Sequence, residues 1–183
     1  MASNNSKNTP RCFTARHVVV DIETSGLFPQ RGARIVEIGA VAIEQGKVVE
    51  EFTSLVNCGV KMPKHVQGIH GVTDNMLQRQ PSPEEVFPRF LAFVSGKILI
   101  AHNAGFDIKF LRYELARLGK NITNKYLCTM RISRKRFPEL PDHKLETVAR
   151  HLLGELPESL RLHRALDDAR LTAMVWMEMV KNE

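Results

Sequence analysis

Four carboxylates stand in stretches of chain that are otherwise apolar: Asp21, Glu23, Asp107 and Asp168. Asp21 and Glu23 lie two apart in His17–Glu23, a β-branched run that predicts a buried strand. Side chains alternate along a strand, so both carboxylates leave the same side of the sheet. Bare acids on a buried face are expensive, so something positive must sit against them. Salt-bridged or strand-end acids are one reading of the pair; ligands for a cation are the other. Asp107 repeats the oddity on a helix, where steps of three and four reach Phe110, Leu111, Leu115 and Leu118, the inward stripe. An acid early in a helix is also favoured by the macrodipole alone. On the last predicted helix, Ala165, Asp168, Ala169, Thr172, Trp176 and Met179 share one face, with Asp168 its sole charge. Asp167 aligns instead with Arg170, Met174, Glu178 and Lys181, which predicts a solvated position. His163 precedes Asp168 by five residues, a divergence of about 140° on a continuous helix. It is therefore placed in the loop entering that helix, free to point at the same acids.

Four inward carboxylates repel one another unless divalent cations lie among them. Oxygen ligands without thiolates or clustered imidazoles favour Mg²⁺ or Mn²⁺ over zinc. Two such ions about 4 Å apart are a recurrent device for in-line displacement at phosphorus. A neutral histidine nearby can take the proton of the attacking water, because an imidazole's ordinary pKa lies close to working pH.

The elements that must position these groups follow from pattern and punctuation. Thr24–Gly26 breaks the first strand; Arg34–Glu44 predicts a second, and Gln45–Gly46 turns into a third over Lys47–Val56. Residues 58–72, with Gly59, Pro63, Gly68 and Gly71, read as a loop. Helices are predicted from Thr73 and from Ser82, where Ser82-Pro83-Glu84-Glu85 combines a cap, a first-turn proline and early acids. A strand over Lys97–Ala101 leads to a helix over Gly105–Leu118, stopped by Gly119. A short strand at Tyr126–Thr129, a basic helix, a helix over Lys144–Leu153 and a last helix over Arg164–Val180 complete the chain. The fold class is α/β: a mixed sheet flanked by helices, antiparallel at its start.

The 183 residues suit one domain, 13–183, behind a polar tail over 1–12. No apolar run reaches the roughly 18 residues of a membrane span, and the opening residues lack a signal-peptide core. Three cysteines, none in a Cys-x-x-Cys pair, fit a reducing compartment, so a cytoplasmic location is expected. The formal charge is +6, and Lys109, Arg112, Arg117, Lys120, Lys125, Arg131, Arg134, Lys135 and Arg136 oppose Glu114 alone between 109 and 136. Such an excess is either a phosphate-binding footprint or a solvated helix face.

Three segments carry a resemblance: Asp21-Ile-Glu-Thr-Ser-Gly-Leu27, His102-Asn-Ala-Gly-Phe-Asp107 and His163-Arg-Ala-Leu-Asp-Asp168. In order and at this spacing they resemble the motifs of the DEDDh 3′–5′ exonucleases, the family of the proofreading ε subunit of bacterial DNA polymerase III. Ile69–Thr73 and His143–Leu145 match weaker family signatures. The resemblance spans roughly residues 16 to 176 and implies an RNase H-like, five-stranded mixed sheet whose second strand is antiparallel. It further implies a two-metal 3′–5′ exonuclease releasing nucleoside monophosphates from DNA. Asp21, Glu23 and Asp168 would hold one divalent cation, Asp21 would bridge to a second, and Asp107 would support that second ion. His163 matches the general base. Thr24, Leu27, His70, Asn103 and Phe106 match positions that hold the 3′-terminal nucleotide; His65 stands where ε subunits place a glutamate against the terminal 3′-OH.

The expected partner is a nucleic-acid 3′ end, foremost single-stranded DNA, with a polymerase or another replication or repair protein as a further candidate and a homodimer left open. Two other functions compete: an exoribonuclease trimming RNA 3′ ends, and a non-catalytic nucleic-acid-binding module. All four acids and the histidine are present, which argues against the module.

Overall fold

The computed structural model describes residues 16–156 and 162–181; the predicted tail over 1–12 lies outside them. The strands are β1 (His17–Thr24), β2 (Ile35–Glu44), β3 (Lys47–Leu55), β4 (Ile98–Ala101) and β5 (Tyr126–Cys128), in the order β3-β2-β1-β4-β5. β2 runs antiparallel to β1 and β3, while β4 and β5 continue the sheet in parallel. This is the expected mixed sheet with its antiparallel part first. Gln45 and Gly46 both take positive φ, 51° and 72°, which suits a two-residue hairpin whose twist matches its strands.

Among the described residues, a short 3-10 turn (Pro29–Arg31) and seven α-helices surround the sheet: α1 (Lys64–His70), α2 (Asp74–Leu77), α3 (Pro83–Val94), α4 (Ala104–Arg117), α5 (Thr129–Arg136), α6 (Leu145–Leu153) and α7 (Ala165–Lys181). Alternation along β1 divides the core. Val18, Val20 and Ile22 pack with Phe87 and Phe90 of α3 and with Phe110 and Leu111 of α4. Val19 packs on the other face with Val41, Ile43 and Ile100, against Ala169, Ala173 and Trp176 of α7. Asp21 and Glu23 continue this second series past the end of the apolar cover, on the side that faces α7.

Residues 58–72 are not a continuous loop. Pro63 caps α1, Gly68 lies within it, and Gly71 ends it at φ 72°. Glycine and proline punctuation masked a seven-residue helix whose Val66 packs with Met62, Val72 and Leu77. The Ser82 prediction holds: the Ser82 amide donates to Glu85 Oε2 at 2.7 Å within a full capping box.

One glycine is required by a close approach. A Cβ at Gly39 would overlap the backbone of Ala165 and Leu166. Gly39 is the cross-strand partner of Asp21, so the missing side chain lets the start of α7 descend onto β2 beside the first carboxylate.

Candidate active site

The carboxylates converge from three elements. Asp21 and Glu23 come from the end of β1 and Asp168 from the first turn of α7, and each offers an oxygen within 4.8 Å of the others. Asp107, in the first turn of α4, is buried at 3% exposure and close enough to raise the pKa of Asp21. It lies outside the group of three.

Burial and mutual repulsion hold these acids toward their protonated forms. Burial raises Asp21 well above its ordinary value, and Asp107, Asp168 and Glu23 add to the effect. Glu23 is pushed up to about 8, by burial first and then by Asp168, Glu37 and Asp107. Burial lifts Asp107 to about 8 against backbone hydrogen bonds at its own residue and at Ile22. Asp168 rises to about 6, restrained by the His163 amide. Nearby cations are committed elsewhere: Arg164 to Glu37, and Arg170 to Glu51 and Asp167. The site is thus a concentration of carboxylates whose ionisation is suppressed until a cation lies among them, and its clustered ligand atoms are all oxygens. That donor set fits a hard divalent cation.

His163 stands in the loop entering α7, as expected, and is exposed. Its amide donates to Asp168 Oδ2 at 3.0 Å, and its φ of 63° places a non-glycine residue in the left-handed region. Such a conformation costs about 1–3 kcal/mol and persists where neighbours impose it. Asp167 corrects an expectation. Rather than being a solvated acid, it pairs with Arg170 at 3.0 Å, and its side chain is only 18% exposed. It still belongs to a different cluster from Asp168. Arg170 also grips Glu51 of β3, and that cross-element pair is invisible in helical periodicity.

The expected substrate contacts surround this group unevenly. Thr24 is buried, and its Oγ1 donates to the Gly26 carbonyl at 2.7 Å, shaping the turn that presents Leu27, which is 68% exposed. His70 is buried, and its Nδ1 accepts from the Val72 amide at 3.0 Å; burial lowers its pKa, with Glu37, Arg164 and His163 all in electrostatic reach. Asn103 is exposed at φ 66° as the cap of α4, and Phe106 packs on Phe110 with ring centroids 4.8 Å apart. His65 is exposed on α1, and no contact joins it to the carboxylates among the described residues.

Sequence reasoning missed several supporting groups. His102 bridges Thr129 Oγ1 at 2.9 Å and the His143 carbonyl at 2.8 Å, while His143 Nδ1 meets Ser133 Oγ at 2.7 Å. These bonds tie the end of β4 to α5 and to the segment before α6. Arg34 forms a two-pronged bond to buried Glu114 at 2.7 and 2.8 Å. The lone acid of the 109–136 stretch therefore faces inward, while Lys109, Arg112, Lys120, Arg131 and Lys135 are exposed. The surface there is more basic than the sequence count implies. Glu37, 3% exposed on β2 and directly opposite Glu23, was also overlooked. A single acid inside the apolar run of residues 35–43 was the available signal.

A family model described as an exonuclease matches residues 18–176. The PolC-type DNA polymerase III of Clostridium perfringens is 39% identical over 163 residues, covering 89% of this chain and 11% of that protein. The DNA polymerase III subunit epsilon of Aquifex aeolicus is 36% identical over 165 residues, covering 90% of this chain and 80% of that one. Among solved structures, exonuclease X in complex with 5′ overhanging duplex DNA superposes with a TM-score of 0.74 at 27% identity, covering 91% of this chain and 92% of that one.

Proposed function

The chain belongs to the exonuclease family whose model spans it, and from that membership we propose a metal-dependent 3′–5′ exonuclease that releases nucleoside monophosphates from DNA 3′ ends. The observation that carries the reading is the convergence of Asp21, Glu23 and Asp168 within 4.8 Å, with the His163 amide bonded to Asp168.

Asp21, Glu23 and Asp168 would hold a divalent cation, Mg²⁺ or Mn²⁺, and Asp107 beside them would support a second. Bound there, such ions lower the pKa of a water nucleophile and offset charge developing on the leaving oxygen. His163 accepts the proton of the attacking water, and its exposed position leaves the imidazole accessible to that water. Thr24, Leu27, His70, Asn103 and Phe106 hold the terminal nucleotide, with the β1 turn and the α4 cap as its two walls. His65, exposed on α1, is the remaining candidate for a contact with the 3′ end. The exposed basic residues of α4 and α5 suit a phosphate backbone leading to the site.

The relatives that are polymerase components support a replication or repair setting, with a polymerase as the partner to test first. The deciding experiment compares 3′-labelled DNA and RNA of one sequence with Mg²⁺ and with Mn²⁺. Single-stranded DNA is expected to yield mononucleotides faster than RNA. Faster trimming of RNA would reassign the substrate, and release of internal fragments would overturn the exonuclease reading.

A further inference from the structure

Assuming that reading of His163, a question remains about what keeps a surface histidine in a strained backbone conformation beside the acids. One bond runs from its amide to Asp168, itself a proposed metal ligand. The residue that follows supplies a second anchor. Arg164 Nη2 donates to Glu37 Oε1 at 2.7 Å, and Arg164 Nε donates to Oε2 at 3.0 Å. The Ala165 amide points to the same carboxylate at 3.4 Å. Glu37 is buried near the start of β2, directly opposite Glu23, and Gly39 two residues on lets the Ala165 backbone press against β2.

We propose that the Glu37–Arg164 ion pair is a positioning device that fixes His163 against the carboxylate cluster. A planar guanidinium held at two points by a rigid strand fixes direction as well as distance. Glu37 belongs to the same β1–β2 ladder that carries Asp21 and Glu23. The clamp therefore refers the histidine loop to the strand pair that sets the acids. Without it, His163 would hang on the Asp168 contact alone on this side, and a misplacement of about 1 Å can cost a factor of about 10² in rate.

The test uses the full chain with single-stranded 3′-labelled DNA at saturating metal. Glu37→Gln removes the charge that draws the fork, and Arg164→Lys keeps the charge but loses the fork. Each is expected to lower kcat at saturating metal by about ten- to a hundredfold with KM unchanged. Because Glu37 also acts on the charge of Glu23, a metal titration of Glu37→Gln separates any shift in metal requirement from the loss at saturation. In a His163→Ala background, itself down by about 10²–10⁴-fold, Glu37→Gln should cause no further loss. Hydrogen exchange in the 162–168 segment should quicken in Glu37→Gln, a readout independent of activity. Glu51→Gln, which breaks the neighbouring pair to Arg170 on the same helix, should leave kcat within a few fold.

Breaking a buried pair can unfold a protein, so Glu37→Met with Arg164→Met, which removes both charges together, provides a variant expected to remain folded. Its kcat should fall as in the single variants. Wild-type kcat in that folded double variant would overturn the proposal. So would losses that multiply fully with His163→Ala, or a changed metal requirement as the whole effect. Full activity in His163→Ala would refute the base assignment itself, a separate failure that hydrogen exchange would leave visible.

Discussion

At the residue scale, two adjacent aspartates on one helix are assigned opposite fates. Asp168 shares the cluster with Asp21 and Glu23, whereas Asp167 pairs with Arg170. Asp168→Ala and Asp21→Ala are expected to remain folded and lose activity by several orders of magnitude. Asp167→Ala gives up the pair with Arg170, away from the carboxylate cluster, and its activity should stay within a few fold of wild type. Initial rates at saturating metal check this, and equal losses at 167 and 168 would refute the assignment. The gathering of Asp21, Glu23 and Asp168 was legible in the sequence because an isolated charge on an apolar periodic face is conspicuous, and the loop position of His163 followed from its spacing to Asp168. Glu37 stands out in the same way inside the apolar run of residues 35–43, but its pairing with Arg164 does not show. That pairing is a contact across 127 positions of chain, which periodicity within one element cannot reveal.

At the element scale, the site depends on how near α7 comes to β2. Gly39→Ala places a methyl group where the Ala165 and Leu166 backbone already lies. The helix start must then withdraw, at about 1–3 kcal/mol by analogy with overpacked cores. The expected outcome is a lowered melting temperature together with an activity loss larger than that of an alanine at Gly105, where a Cβ meets open space. Equal activity in the two variants would show that the approach of α7 is dispensable. The strands, the Gln45–Gly46 hairpin and the helix start at Ser82 were readable because their signals are local: β-branching, turn residues and caps. Helix α1 escaped because Gly68 sits inside it and its burial is against Met62 and Leu77, partners outside the helix. The Arg34–Glu114 fork, joining the start of β2 to α4, escaped for the same reason.

At the scale of the whole molecule, stability and chemistry share one charge problem. The folded protein holds protons on Glu23 and Asp107 up to about pH 8 and on Asp168 up to about pH 6, whereas unfolded carboxylates release theirs near pH ~4. Raised folded-state values mean that this contribution is fully present below about pH 4 and is lost as pH rises through about 8. The metal-free protein should therefore lose stability from the cluster across that window. The gain in melting temperature on adding Mn²⁺ should grow over the same range, because the ion binds the ionised native site. A gain independent of pH would contradict the charge assignment. No helix among the described residues is long and apolar enough to cross a membrane. The central claim is that these carboxylates form a divalent-metal hydrolytic centre for 3′ ends. Its most direct test is hydrolysis of 3′-labelled single-stranded DNA by the metal-stripped chain, before and after Mg²⁺ or Mn²⁺ is restored. No release is expected in excess EDTA, and stepwise mononucleotide release on restoration; undiminished hydrolysis in EDTA would show that the carboxylates do not act through a metal.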